Sequence, residues 1–268
     1  MRIARFSAAG ADPAFGMVEL AEDKGEFPDT IAQVSGDPLA GPVKYTGARF
    51  GLGQVRLLSP VIPRSKLVCM GLNWAQHANE MGDEIPATPV VFIKPNTAVI
   101  GPDEPIVYPI ESHFLSYEGE LAIVIGRICR RVPVERAGEV IFGYTCANDV
   151  TARDLQHEEQ QWTRAKGFDT FAPLGPWIVT HMDIAEASNL TIRTRVEDEV
   201  VQEGTTADML HGIAEIVSYI SNFTTLLPGD VILSGTPNGV GPMEAGQHVS
   251  VEIEGIGTLT NPVVAEEA

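Results

Sequence analysis

Residues 117–125 read YEGELAIVI, and this stretch predicts a β-strand that begins with two carboxylates. Side chains alternate between the two faces of a strand, so Glu118 and Glu120 share a face with Ala122 and Val124. Like charges this close raise each other's energy, and burial adds a desolvation cost unless a cation lies between them or one takes up a proton. A divalent cation is the simplest remedy. Oxygen ligands favour Mg²⁺ or Mn²⁺ over zinc, and Ca²⁺ is a further alternative.

The same residues also fit an edge strand whose first outward side chains are solvated. A third ligand would decide between the two interpretations, and the candidate is Asp149, where the chain leaves an apolar run just before a predicted helix. The other interpretation of Asp149 is an N-cap of that helix, a common role for Asp at such a junction.

Outward from this strand, short apolar runs are bounded by Gly, Pro, Asn or Asp, as strands are. Beyond residue 63 they lie at residues 67–71, 90–93, 121–125, 140–146, 177–180, 231–233 and 249–253. Helical patterns are fewer and cover residues 207–223 and 152–162. Because strands and helices do not alternate regularly, we expect an α+β, β-rich fold and not a doubly wound nucleotide-binding fold.

Residues 1–60 carry shorter strand-like pieces, at residues 2–6, 17–20 and 55–58, between turns that contain Gly and Pro. No repeat, low-complexity segment or linker divides the remainder. We therefore predict a small N-terminal domain over residues 1–60 and one main domain over residues 61–268.

The formal net charge of -18 argues against nucleic-acid partners, which clustered Lys and Arg bind. In so acidic a protein, an anionic substrate needs a local cation. Cys69, Cys129 and Cys146 are widely spaced in apolar stretches and are expected to be buried thiols in a reducing compartment. No signal peptide is recognised and no apolar run approaches the ~20 residues that span a bilayer, so a cytoplasmic protein without a membrane partner is expected.

A histidine and a carboxylate stand three residues apart in GLNWAQHANE, residues 71–80. On a helix His77 and Glu80 share a face, and the carboxylate would orient the imidazole and stabilise its protonated form. His77 is then a candidate proton acceptor, although a His-Glu pair taken alone is more often a surface contact. The loose residues 81–86 that follow suggest a lid that moves.

Cations and hydrogen-bond donors for an anionic substrate come from residues 151–156 and 161–169, where Arg153, Gln156 and Lys166 stand. A solvated basic face is the alternative. The segment GTPNGVG, residues 235–241, predicts a tight turn after a strand and lacks the Gly-Lys-Ser/Thr of a Walker loop.

Six motifs, in their order, spacing and combination, resemble the fumarylacetoacetate hydrolase (FAH) superfamily over residues 63–261. They are GLNWAQH at 71–77, FIKP at 92–95, YEGEL at 117–121, GYTCANDVTARDLQ at 143–156, KGFD at 166–169 and GTPNGVG at 235–241. The resemblance implies a mixed, FAH-type β-sandwich roll with a small N-terminal domain, assembled as a homodimer. Met70 stands where larger members carry a further metal-site Asp, and Ser116 where many carry Asp, so a metal site of three carboxylates is expected.

The resemblance also implies roles for single residues. By it, Glu118, Glu120 and Asp149 bind Mg²⁺ or Mn²⁺ and leave coordination positions for the carboxylate and 2-oxo oxygens of the substrate. His77 and Glu80 match the family's catalytic pair, and Lys166 would stabilise an oxyanion or enolate. The substrate site would be lined by Arg153, Gln156 and Thr236.

These roles predict an enzyme that acts on a small 2-oxo or 2-hydroxydienoic acid. Hydrolysis of a carbon–carbon bond follows if His77 activates water, and isomerisation of a hydroxymuconate-type acid follows if protons only move along a dienol. Because His77 and Glu80 are both present, these two reactions of aromatic-compound catabolism are favoured over decarboxylation of an oxaloacetate-like acid. An inactive metal-binding dimeric scaffold or ligand sensor is the alternative from another class, and it would not need His77, Glu80 or Lys166.

Overall fold

The computed structural model describes residues 1–21, 28–82 and 84–267 of the chain, so Asp83 in the predicted lid lies outside the described residues. The strands are β1 (Arg2–Ala8), β2 (Ala14–Glu19), β3 (Thr30–Ser35), β4 (Lys44–Gly51), β5 (Val55–Leu58), β6 (Leu67–Gly71), β7 (Val90–Lys94), β8 (Val99–Ile100), β9 (Ile106–Tyr108), β10 (Leu115–Tyr117), β11 (Gly119–Ile125), β12 (Ile141–Asn148), β13 (Thr151–Ala152), β14 (Ala172–Val179), β15 (Thr191–Val196), β16 (Glu199–Thr205), β17 (Val231–Leu233), β18 (Gly241–Pro242), β19 (His248–Ile253) and β20 (Gly257–Ala265). The α-helices are α1 (Ala75–Met81), α2 (Arg153–Glu158), α3 (Thr163–Gly167), α4 (Ile184–Ala187) and α5 (Ile213–Phe223).

The strands of the described chain form a large sheet and two smaller ones, which confirms the predicted β-rich α+β class. The main path of the large sheet runs β4-β3-β2-β1-β14-β12-β11-β17-β6-β7, while β5 pairs with β1 and β8 with β14. The smaller sheets run β13-β10-β18 and β16-β15-β19-β20-β9. Most pairs are antiparallel, and the parallel ones are β17 with β6, β20 with β9, and β14 with β8.

Strand β11 lies inside the large sheet, between β12 and β17, and all its residues are buried. Leu121, Ile123 and Ile125 pack in one hydrophobic cluster with the apolar face of α5, whereas Ala122 and Val124 pack in a second cluster on the other face. A strand covered on both faces has a continuous apolar sequence, as residues 121–125 do. The alternative of a solvated edge strand is therefore wrong.

Both predicted helices are present but shorter than expected. Residues 206–208 form a 3-10 turn, Met209 pairs with Trp74, and Gly212 caps α5 in an extended conformation. Backbone pairing of residues 209–210 with the segment before α1 delays the start of α5. The helix predicted over residues 152–162 ends at Glu158, and α3 begins at Thr163.

The N-terminal strands are hydrogen-bonded to the rest of the sheet. Arg2 and Ile3 of β1 pair with Val179 and Ile178 of β14. The division into two domains stays a prediction. The three cysteines have free thiols. None of the helices in the described ranges combines the length and hydropathy needed to cross a membrane.

Candidate active site

Three buried carboxylates meet at the ends of two neighbouring strands. Glu118 precedes β11, Asp149 follows β12, and the pairing of Gly119 with Asn148 brings these two residues side by side. One carboxylate oxygen from each of Glu118, Glu120 and Asp149 lies within 4.8 Å of the others. Their exposures are 4%, 1% and 1%. The N-cap interpretation of Asp149 is wrong, because Ala152 occupies that position of α2.

The predicted cations face these carboxylates. Lys166 Nζ donates to Glu118 Oε2 (2.9 Å), Asp149 Oδ2 (2.7 Å) and Thr151 Oγ1 (2.8 Å). The Arg153 guanidinium donates to Glu118 Oε1 at 2.5 Å. Arg153 and Lys166 are buried, so the interpretation of a solvated basic face is wrong.

Lys94, the last residue of β7, is a cation of this site to which no role was predicted. It is fully buried, and its ammonium donates to Asp149 Oδ1 and, at 3.0 Å, to the carbonyl of Val150. Alternation along β7 puts Lys94 on the same side as Phe92, but the motif FIKP does not show which residue that side faces. With Lys166 and Arg153, Lys94 is one of three cations in the described ranges that pair with Glu118 or Asp149.

The carboxylates differ in pKa because their neighbours differ. Burial raises the pKa of Glu118, but Lys166 and Arg153 outweigh it and hold that pKa well below the ordinary value. Burial and the charges of Asp149 and Glu118 together raise the pKa of Glu120 well above its ordinary value. Burial lowers the pKa of the Lys166 ammonium, yet Asp149 and Glu118 more than offset this and raise it.

Glu120 provides the test of whether a cation fits here. It accepts a hydrogen bond from Gly235 N at 2.7 Å and forms no ion pair with any described residue. A buried carboxylate beside two others, without a cation of its own, is stabilised either by a proton, in line with the raised pKa of Glu120, or by a divalent ion that all three ligate. The oxygen-only donor set suits Mg²⁺, Mn²⁺ or Ca²⁺.

His77 and Glu80 share one face of α1, as predicted. His77 is 5% exposed, and its Nδ1 lies 3.4 Å from Glu80 Oε2. Both carboxylate oxygens of Glu80 also accept from Gly239 N, at 3.0 and 3.1 Å. Tyr117 Oη donates to the carbonyl of the same glycine, and burial together with the charge of Glu80 raises the pKa of Tyr117 to about 12. Glu80 thus links α1 to the turn at residues 235–241, although its own side chain is 34% exposed.

The remaining predicted residues lie beside the cations. Gln156 Oε1 accepts from Arg153 at 2.6 Å. Thr236 Oγ1 donates to Gly119 O at 3.0 Å and accepts from Gln202 Nε2 at 2.9 Å, a link that was not predicted. Gly235 has φ +92°, a left-handed conformation that favours glycine, and an added Cβ would stand 2.9 Å from Asn73 Cβ.

A pocket of about 250 Å³ opens onto this centre. Six predicted residues line it: His77, Glu118, Arg153, Gln156, Lys166 and Thr236. Glu80 contacts His77, Asp149 contacts Lys166, and Glu120 has an oxygen within 4.8 Å of one of Glu118, but these three residues are not part of the lining. The lining also contains apolar side chains to which no role was predicted, namely Met70, Leu72, Met81, Phe92 and Trp162. In sequence these side chains are indistinguishable from core residues, so only their position in space identifies them.

Two protein-family models match this chain, one over residues 66–264 and one over residues 1–60. The first is described as "Fumarylacetoacetate (FAA) hydrolase C-terminal" and the second as "Rv2993c-like, N-terminal". Protein Rv2993c of Mycobacterium tuberculosis is 53% identical over 235 residues, which are 88% of this chain and 88% of that protein. The mitochondrial oxaloacetate tautomerase Fahd2a of Rattus norvegicus is 39% identical over 219 residues, 79% of this chain and 70% of that protein.

Solved structures share the fold over the full chain. The 2-hydroxyhepta-2,4-diene-1,7-dioate isomerase of Mycobacterium marinum has a TM-score of 0.89 and 46% identity, with 100% of both chains covered. The maleylpyruvate hydrolase of Sphingobium sp. SYK-6, solved with manganese(II) and pyruvate, has a TM-score of 0.80 and 29% identity, again with 100% of both chains covered.

Proposed function

The chain belongs to the fumarylacetoacetate hydrolase superfamily, and from this premise we propose a divalent-metal-dependent enzyme that acts on a small 2-oxo or 2-hydroxydienoic acid. The observation that carries the proposal is the buried group of Glu118, Glu120 and Asp149, which stands beside His77 and Lys166 at one pocket. The pocket volume of about 250 Å³ lies below the roughly 300–1,000 Å³ typical of drug-sized ligands, which supports a small substrate.

Glu118, Glu120 and Asp149 would hold the cation. When bound, a divalent cation supplies Lewis acidity that polarises a substrate oxygen. We propose Mg²⁺ or Mn²⁺, because the donors are all oxygens and the maleylpyruvate hydrolase neighbour carries manganese(II) together with pyruvate.

Arg153 and Lys166 would bind the substrate's anionic end. In a chain of net charge -18 they supply the local positive charge that a carboxylate needs, and both are buried where solvent screens them little. Lys166 would also stabilise negative charge that develops on the 2-oxo oxygen. Gln156 and Thr236 add hydrogen-bonding groups to the pocket lining.

His77 would accept and return the proton. Glu80 holds the imidazole through the Nδ1 contact, while Gly239 N fixes Glu80. His77 lines the pocket, so its other ring nitrogen is available to substrate or to an attacking water.

Two reactions use this arrangement directly: hydrolysis of a carbon–carbon bond, and isomerisation of a hydroxymuconate-type acid in aromatic-compound catabolism. The names of the hydrolase and isomerase neighbours support both. A second candidate is tautomerisation of an oxaloacetate-like acid, favoured by the rat relative's name. It requires the same proton transfer at His77 but no attacking water.

We also propose a homodimer, as the family resemblance implies. Light scattering should then give a mass of twice the 28.8 kDa of one chain.

The test is a turnover screen of acylpyruvates, oxaloacetate and hydroxymuconate-type dienoates with Mg²⁺ or Mn²⁺. It is run beside a Glu118→Ala/Glu120→Ala double variant, with exposed Glu135→Ala as the matched control. We expect the double variant to lose turnover and Mn²⁺ binding, and the control to retain both. Turnover by the double variant at the wild-type rate would contradict the proposal. Mn²⁺ binding without turnover of any substrate would favour a metal-binding scaffold or ligand sensor.

A further inference from the structure

Two aromatic side chains separate the pocket from a second space. Phe92 of β7 and Trp162, just before α3, line both the pocket of about 250 Å³ and a groove of about 790 Å³ on the far side. Val91, Ile93 and Pro95 form an apolar side of that groove. Pocket and groove therefore adjoin, with this aromatic pair between them.

The pair is held in place by its surroundings. The ring centroids of Phe92 and Trp162 lie 5.4 Å apart at 76°, an edge-to-face contact. The indole also lies against Gly71, where an added Cβ would stand 2.6 Å from Trp162 Cζ3 and 3.0 Å from Cη2. Only a residue without a Cβ allows the indole this position.

The pair is also tied to the charged centre. Lys166 Nζ lies 5.1 Å from the centroid of the Phe92 ring, and Lys166 N donates to the carbonyl of Trp162 at 3.0 Å. Lys166, which would bind the anionic end of the substrate, and Trp162 thus belong to one short segment. The backbone of this segment sets the distance between the ammonium and the indole.

The pocket lining combines cations with apolar side chains. The cations are Arg153 and Lys166, and the apolar side chains include Met70, Leu72 and Trp162. Resting on the proposed function, a 2-oxo acid whose carboxylate is bound by these cations places its tail against the apolar lining. Trp162, which lines both the pocket and the groove, then lies between that tail and the groove.

We propose that Trp162, supported by Phe92 and Gly71, is a specificity-determining residue that limits the length of the substrate tail. The site accepts 2-oxo acids with short apolar or unsaturated tails and rejects longer ones, which would collide with the indole. Removal of the indole joins the pocket to the groove, whose apolar side then receives the longer tail.

The test measures binding, so that it does not depend on turnover. Calorimetry of the Mn²⁺-loaded protein with 2-oxobutanoate, 2-oxohexanoate and 2-oxodecanoate gives the dependence of Kd on tail length. In the wild type we expect 2-oxodecanoate to bind at least about tenfold more weakly than 2-oxobutanoate, the minimum typical of one ill-fitting group in an apolar pocket. In Trp162→Ala we expect this difference to vanish or reverse.

Two further variants keep the result interpretable. Trp162→Phe retains an aromatic contact with Phe92 and should give an intermediate length dependence, even if the alanine variant does not fold. Phe223→Ala removes an exposed aromatic ring of α5 that lines neither space, and it should keep the wild-type pattern. Mn²⁺ affinity unchanged from wild type shows that the carboxylates remain in place.

The outcomes separate this inference from the proposed function. The same length dependence in wild type, Trp162→Phe and Trp162→Ala overturns the role of Trp162 and leaves the proposed function standing. A length limit that Trp162→Ala removes, without turnover of any substrate, supports the role of Trp162 while the proposed chemistry fails. Failure of the Mn²⁺-loaded wild type to bind any of these acids overturns both.

Discussion

Lys94 lies outside the pocket lining, yet its charge is part of the balance of the site. Burying an ammonium away from water costs free energy unless the group is ion-paired and hydrogen-bonded. Lys94 is paired with Asp149 and donates a hydrogen bond to the Val150 carbonyl. Asp149 in turn has Lys94 on one oxygen and Lys166 on the other. The orientation of this carboxylate is therefore set from two sides.

We expect Lys94→Met to lower the free energy of unfolding by about 3 kcal/mol, because it leaves a buried carboxylate with one cation fewer. Urea unfolding measures the change. The matched control is Lys44→Met at an exposed lysine of β4, which should change stability by less than about 0.5 kcal/mol. Equal effects of the two substitutions would mean that the buried ion pair contributes nothing.

Glu80 accepts a hydrogen bond from Gly239 N and places a negative charge beside His77. The substitution Glu80→Gln keeps the first contact, because the amide oxygen still accepts from Gly239 N, but the negative charge beside the imidazole is lost. We expect kcat to fall about 10–100-fold with unchanged Tm, and His77→Gln to lower kcat by about 10²–10⁴-fold. Steady-state kinetics on the best substrate of the screen measures both.

The control for Glu80→Gln is Glu215→Gln. Glu215 also stands beside a histidine, His211 at 3.9 Å, but on the exposed face of α5. The substitution Glu215→Gln should leave kcat unchanged. An equal loss in both variants would remove the specific role of Glu80.

At the scale of elements, α2 is joined to the segment before β10 by Asp154. Its carboxylate accepts from Ser112 Oγ at 2.7 Å and from His113 N at 2.6 Å. These contacts position the helix that carries Arg153 and Gln156. Partial burial acts to raise the pKa of Asp154, but the hydrogen bonds from His113 and Ser112 outweigh it and hold the pKa below its ordinary value of 3.8.

This lowered pKa gives a pH dependence of stability with a defined sign. The unfolded chain binds the proton more readily, so the contribution of Asp154 is fully present above pH 3.8 and is lost as pH falls through the lower folded pKa. We expect Asp154→Asn to cost about 1–2 kcal/mol at neutral pH and progressively less below pH 3.8. Urea unfolding of the wild type and of Asp154→Asn across the acid range measures this difference in unfolding free energy. Exposed Asp198→Asn serves as the control, and a cost for Asp154→Asn that does not change with pH would contradict the assignment.

On the scale of the whole molecule, the N-terminal strands and the site are connected through one sheet. Strand β14 lies between β1 and β12, and Asp149 follows the last residue of β12. Ile3 and Phe6 of β1 are buried. The first strand therefore covers an edge next to the strand that positions a predicted metal ligand.

We expect a chain of residues 61–268 alone to unfold at least about 10 °C below the full chain. It loses the burial of Ile3 and Phe6, roughly 1.5–3 kcal/mol each, and the pairing of the β14 edge. Calorimetry and binding of a hydrophobic dye, compared with the full chain under the same conditions, measure the effect. An unchanged Tm and Mn²⁺ affinity would instead show that residues 61–268 form an independent domain.

Local patterns in the sequence were sufficient to predict which side chains of the site lie together on one strand and on one helix. Alternation over residues 117–125 placed Glu118 and Glu120 on one face, and helical spacing brought His77 to Glu80. Both are short-range consequences of backbone geometry, so sequence alone determines them. The combination of motifs also predicted the family and the β-rich class, which the comparisons and the structure confirm.

Only the tertiary structure decided that β11 is an inner strand, that Lys94 faces Asp149, and that Phe92 and Trp162 line the pocket. Each of these depends on which distant segments pair and pack. The free energy of such pairing is shared over many contacts, so no short stretch of sequence contains it. A buried lysine and a pocket-lining tryptophan therefore resemble any other lysine or core aromatic until the chain is folded.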